Sequence, residues 1–435
     1  LNSYRMMTIK NTTAFQRFIR KLSKRTTFHF EIEKKVKKIL NEVKKRGDKA
    51  VIKYTNLFDK HNLPIRIEPD EIKEKAKEVS KEIIDALKFA RERIRKFHTW
   101  QMESSWKHEE EDITLGQLIR PLQRVGVYVP GGKASYPSTV LMNIIPAQVA
   151  GVEEIAVCVP TPFGELNPVV CSALNILQIN EVYRVGGAQA IAALAYGTES
   201  IPKVDKMVGP GNIYVATAKK LVFGEVDIDM IAGPSEILII ADDSANPAFV
   251  ASDMLSQAEH DEMACSIVVT TSEKLAISIK KEIKRQLKSL PKAFIARESL
   301  KIFGALILVN SLEEACNVAN IIAPEHLEIM TDEPEKLLPL IKNAGAIFLG
   351  QWTPEPIGDY VAGPNHTLPT SGTARFFSPL GVYDFVKRTS LIKCNYESFE
   401  KLASYVEILS SVEGLEAHGN TIKIRKNFMR GKGQT

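Results

Sequence analysis

Val125-Gly126-Val127-Tyr128-Val129-Pro130-Gly131-Gly132 decides the fold: a short β-branched run that stops in a proline–glycine turn. The pattern repeats downstream. A helix is predicted over 138–150, a strand over 155–159, a helix over 167–177 and a strand over 182–185, after which Gly186-Gly187 opens another helix. The run 204–208 then passes through Gly209-Pro210-Gly211 into one more. Strands that alternate with helices, each strand ending in glycine, indicate a parallel sheet with ligands at its carboxyl edge.

Beyond Asp229 the alternation resumes. Strands are predicted over 236–240, 266–270, 305–309, 327–330 and 346–349, with helices over 247–258 and 275–287. Upstream, residues 31–98 are rich in Lys, Glu and Ile at helical spacing. Ile32, Val36, Ile39, Leu40 and Val43 share one face, and Gly47 is a plausible stop. The fold class is therefore α/β: two incomplete Rossmann-like parallel-sheet domains with small N- and C-terminal helical appendages. The predicted division is an N-terminal extension 1–25, a discontinuous α/β domain 26–127 and 236–380, a second α/β domain 128–235, and a tail 381–435.

The chain's 435 residues exceed one ordinary core. With 44% hydrophobic and 25% charged residues, it reads as a soluble globular protein. A net charge of +5 gives no reason to expect nucleic acid, and the basic tail 423–432 reads as a solvated end rather than a binding patch. The five cysteines, Cys158, Cys171, Cys265, Cys316 and Cys394, form no CxxC pair, which favours a reducing compartment. Cys158 sits in an apolar run and reads as structural rather than nucleophilic. No stretch is long and apolar enough to span a bilayer, and the N-terminus lacks a signal-peptide core, so a cytoplasmic setting without a membrane is expected.

Chemistry concentrates in clusters of histidine with acids or amides. Gln257 and His260 are three apart on a predicted helix and share a face. They can hold one metal or simply hydrogen-bond on a half-buried helix. Without thiolates, an oxygen/nitrogen site suits Zn2+, Mn2+ or Co2+. Glu325-His326 follows Pro324 and is either a cavity pair or a surface pair. Asp359 and His366 lie on a Gly/Pro-rich loop, a poor place for core packing and a good one for site residues. Glu413 and His418 stand near the end, where an ordinary helix terminus is the bland alternative. The turns at 130–132, 186–189 and 209–212 let backbone amides approach phosphate at a helix N-terminus, although none completes a dinucleotide fingerprint.

These motifs together resemble the histidinol dehydrogenase family. Asp229-Met-Ile-Ala-Gly-Pro-Ser-Glu236, Ala241-Asp-Asp-Ser-Ala-Asn-Pro247 and Asp253-Met-Leu-Ser-Gln-Ala-Glu-His-Asp261 are similar to its signature region. Segments 320–327, 363–371 and 413–418 follow in the family's order. The resemblance implies oxidation of L-histidinol to L-histidine through L-histidinaldehyde, with Zn2+ and two NAD+. It implies Gln257, His260, Asp359 and His418 as zinc ligands and Glu325 and His326 as the acid/base pair. Ser235, His366 and Glu413 would meet substrate, with Gln257, His260, Glu325, His326, Asp359 and His418 also close to it. Tyr128, Gln189 and Asn212 would contact NAD+. The resemblance further implies a homodimer whose C-terminal tail enters the partner's site.

Two rivals share parts of this pattern. A metal-dependent hydrolase would use the same His/acid clusters, but has no need of the glycine-turn series. A binding protein on an old enzyme fold would bind L-histidinol without turning it over.

Overall fold

The computed structural model describes residues 6–25, 30–110, 112–131 and 136–432, without the side chains of 430–432. Gly132, the last residue of the first glycine turn, lies outside the described residues. The chain divides into two units. One comprises residues 1–102 and 122–385, the other 103–121 and 386–435.

The strands in chain order are β1 (Met7–Ile9), β2 (Arg66–Ile67), β3 (Trp106–Glu110), β4 (Ile113–Pro121), β5 (Arg124–Tyr128), β6 (Glu154–Cys158), β7 (Val182–Tyr183), β8 (Lys206–Val208), β9 (Asp227–Ile228), β10 (Glu236–Ala241), β11 (Cys265–Thr270), β12 (Ala305–Leu308), β13 (His326–Met330), β14 (Ala346–Leu349) and β15 (Val386–Cys394). The first unit holds two six-stranded sheets. One runs β1-β12-β11-β10-β13-β14 and is parallel throughout. The other runs β2-β7-β6-β5-β8-β9 and is parallel except for β2.

Both sheets are covered on both faces, which is why their central strands read as unbroken apolar runs. Every residue of β10 is buried. Ile237, Ile239 and Ala241 enter one core while Leu238 and Ile240 enter another, as period-two geometry demands. In the other sheet Val125, Val127 and Val129 face one core and Tyr128 the opposite one. Cys158 is buried in that second core, and burial pushes its thiol up and away from nucleophilic use.

Strand partners cut across the expected grouping of 26–127 with 236–380. β2 and β5 pair within the 154–228 sheet, and the helix Phe30–Arg46 packs on the helices Gly187–Tyr196 and Ile213–Val222 of that same layer. The reason is local. β5 is apolar on both faces and parallel, so it takes a parallel neighbour on each side, β6 and β8. The N-terminal segment is likewise not a free extension, because β1 forms the edge of the first sheet beside β12.

The second unit is an antiparallel sheet β15-β4-β3 with the helices Tyr396–Val412 and Glu416–Lys432. Among the described residues no helix is long and apolar enough to cross a membrane.

Candidate active site

Glu325 and His326 stand at the amino end of β13, beside Glu236 at the amino end of β10. The His326 ring is buried, with Nδ1 2.9 Å from the Glu236 carbonyl oxygen. Only a protonated Nδ1 can donate to that carbonyl, so the exchangeable lone pair belongs to Nε2. Nε2 lies 3.4 Å from Asp359 Oδ1 and 3.9 Å from Glu355 Oε1, and makes no hydrogen bond of good geometry. Glu325 Oε2 accepts from the Glu236 N–H at 2.8 Å, so the backbone of one residue at the head of β10 orients both side chains.

Around this pair the chain folds back. The helix Pro247–Ala258 returns from β10 and carries Gln257 in its last turn, wholly buried with neither amide atom hydrogen-bonded. His260 follows one turn later, and its charge bears on Asp359. The segment 355–362 carries Glu355 and Asp359 four residues apart, and the Glu355 N–H is held by Glu328 Oε1 at 2.9 Å. His366 Nδ1 donates to the Asp359 carbonyl oxygen at 2.9 Å, with Nε2 3.4 Å from Thr139 Oγ1. Arg25 pairs with Glu236 at 2.7 Å and donates to the carbonyls of Pro234 and Ser235, fixing the turn that bears Ser235.

The charges are interdependent. Burial pushes the Glu325 carboxyl up to about 8 and Glu355 up to about 7. For His326 burial acts downward, but Glu355, Glu325 and Asp359 outweigh it and raise the imidazolium well above its ordinary value. Burial would raise Asp359, yet His326, His366 and His260 hold it below the usual carboxylate range.

One imidazole nitrogen and carboxylate oxygens of His326, Glu355 and Asp359 lie within 4.8 Å of one another, close enough to share a divalent cation. Of the four residues expected as ligands, only Asp359 belongs to this trio; Gln257 is on the helix Pro247–Ala258, and His260, expected on the same helix, lies just past its C-cap Glu259. Glu355 is the residue missed in the sequence. Its spacing of four from Asp359 on a helical segment was the available signal. This cluster sits at the amino end of its sheet.

The carboxyl edge of the other sheet holds a cavity of about 590 Å³. Tyr128, Gln189 and Asn212 all line it, with Lys35, Lys38 and Asp59. Tyr128 ends β5, and its hydroxyl accepts from the Gly187 N–H at 3.1 Å, at the start of the helix Gly187–Tyr196. Burial pushes this phenol up to about 12. Asn212 caps the helix Ile213–Val222, accepting from Tyr214 N at 3.0 Å and Val215 N at 3.2 Å. Two helix N-termini facing one cavity form a ready anion site. Gly209 has φ +112, and a Cβ there would stand 2.1 Å from the Tyr128 carbonyl oxygen, so this turn requires glycine.

Glu413 and His418 belong to the second unit. Glu413 follows the helix Tyr396–Val412 and His418 lies in the first turn of Glu416–Lys432, both exposed.

Residues 22–426 match the family model for histidinol dehydrogenase. The chain is 59% identical over 400 residues to the histidinol dehydrogenase of Aquifex aeolicus (strain VF5), covering 91% of this chain and 93% of that one. It is 51% identical to that of Geobacter sulfurreducens, over 97% and 99% of the two chains. The crystal structure of histidinol dehydrogenase from Elizabethkingia anophelis superposes with a TM-score of 0.93 at 37% identity, over 99% of this chain and all of that one.

Proposed function

The chain belongs to the histidinol dehydrogenase family, and from that premise we propose that it oxidises L-histidinol to L-histidine through L-histidinaldehyde, using zinc and two NAD+ per turnover. It is an NAD-dependent oxidoreductase. The observation that carries the metal reading is Gln257. A buried amide with both atoms unpartnered costs stability unless something else binds it, and a cation takes the carbonyl oxygen. Gln257, His260 and Asp359 would hold zinc, with His418 supplied by a second subunit. Bound zinc would supply an electrostatic template that fixes the substrate's imidazole and amino nitrogens.

The chain's own residues divide the proton work. His326 keeps Nδ1 on the Glu236 carbonyl and, once the proton that the neighbouring carboxylates favour on Nε2 is lost, offers Nε2 to the substrate hydroxyl, whose proton must leave as hydride departs from the carbinol carbon. The aldehyde must then add water before a second hydride can leave. Glu325, anchored by the Glu236 N–H, is the base for that water once its own proton is lost. Ser235, His366 and Glu413 would meet the substrate. NAD+ would serve as hydride acceptor, with its pyrophosphate at the helix N-termini beside Gln189 and Asn212 and its approach bordered by Tyr128.

A homodimer with an exchanged tail is part of this reading. The helix Tyr396–Val412 exposes Tyr405, Ile408, Leu409 and Val412, an apolar face that a second copy would cover. The free thiols fit a cytoplasmic setting. The direct test is absorbance at the NADH wavelength after mixing protein, L-histidinol and NAD+. Growth of that band is expected, and a flat trace with folded, zinc-loaded protein would refute the reading.

A further inference from the structure

We propose that Lys219 and Asp229, neither of which lines the cofactor cavity, are positioning residues for its glycine turn; the inference rests on the functional reading above. Both side chains are buried, and Lys219 Nζ pairs with Asp229 Oδ1. The pair grips one residue from two sides. Asp229 Oδ2 accepts from the Gly209 N–H at 2.8 Å, while Lys219 Nζ donates to the Gly209 carbonyl oxygen at 3.0 Å. Asp229 Oδ1 also accepts from the Met230 N–H at 2.6 Å, and the Asp229 N–H bonds the Met207 carbonyl at 3.2 Å.

The gripped residue is the one whose place matters most. Gly209 lies directly against the Tyr128 carbonyl at φ +112, and Gly209-Pro210-Gly211 delivers Asn212 to the cavity. Lys219 sits in the last turn of the helix Ile213–Val222, so that helix reaches back to fix its own entry turn. A buried ion pair is a costly way to fill space, and apolar residues do that as well. What apolar residues cannot do is fix the two successive peptides that flank one glycine, one through its N–H and the other through its C=O. The clamp therefore sets the distance between the Tyr128 and Asn212 sides of the cavity.

The fold supplies its own control. Lys206, also buried on β8, pairs with Asp227 at 3.0 Å and Asp384 at 3.7 Å rather than with Asp229. In the full-length, metal-loaded protein, Lys219→Met is expected to weaken NADH binding, read by nucleotide fluorescence, on the order of tenfold or more. KM for NAD+ should rise in parallel, with KM for L-histidinol and metal content unchanged. Asp229→Asn keeps an acceptor for Gly209 but loses the charge that holds Lys219, so a smaller loss of the same kind is expected. It also supplies the readout if Lys219→Met does not fold. Lys206→Met should leave NADH affinity near wild type. Wild-type affinity in both clamp variants, or an equal loss in Lys206→Met, would overturn the proposal. Failure of the unmodified protein to bind NADH would instead overturn the functional reading beneath it.

Discussion

Gln257, proposed as a zinc ligand, is a buried amide without partners. Its helix would be better served by leucine, since burying an amide without partners costs about 1–3 kcal/mol. Gln257→Leu is expected to raise the urea midpoint of the metal-free protein and to abolish metal retention after dialysis. A variant that is less stable and still holds zinc would remove Gln257 from the ligand set. Glu325 carries a comparable tension. Its carboxyl lies at about 8 in the fold against an ordinary 4.5. The folded state thus keeps a proton that the unfolded chain releases, so the stability it contributes is full below 4.5 and is lost as pH rises through about 8. Glu355 acts in the same direction. Glu325→Gln should flatten the fall in metal-free stability between about pH 5 and about pH 8, and an unchanged slope would show that Glu325 is not protonated in the fold.

At the scale of elements, much of the site was legible because it depends on local rules. Strand ends with glycine mark helix N-termini, and Tyr128, Gln189 and Asn212 do line one cavity. The cluster around His326 was less legible. Asp359 reaches it through a helical segment anchored by Glu328, and no local spacing reports that the amino ends of β10 and β13 meet there. The helix Phe30–Arg46 declares a buried face in its sequence, but not which layer that face covers. Asn212 joins a local role to a distant one, as both cap and cavity wall. Aspartate caps as well as asparagine. Asn212→Asp should therefore keep the thermal midpoint and lower NADH affinity roughly tenfold, because its charge opposes a pyrophosphate. Retained affinity would move the pyrophosphate elsewhere.

At the scale of the whole molecule, the residues proposed for the site fall in two units of the chain. His326, Asp359 and Gln257 lie in one, and Glu413 and His418 in the other. If the tail completes a partner's site, defects on opposite sides of the exchange should complement. Co-refolding Gln257→Leu with His418→Ala places one intact site in each mixed dimer and should restore about a quarter of wild-type activity. No recovery, with mixed dimers demonstrated, would mean that each subunit completes its own site. The central claim joins both halves of the first unit, a metal-and-proton cluster at one sheet edge and a dinucleotide cavity at the other. It is tested most directly by the NADH formed per L-histidinol consumed, before and after chelation. The account predicts two NADH per substrate, abolished by chelator and restored by zinc. One NADH per substrate, or turnover indifferent to chelation, would contradict it.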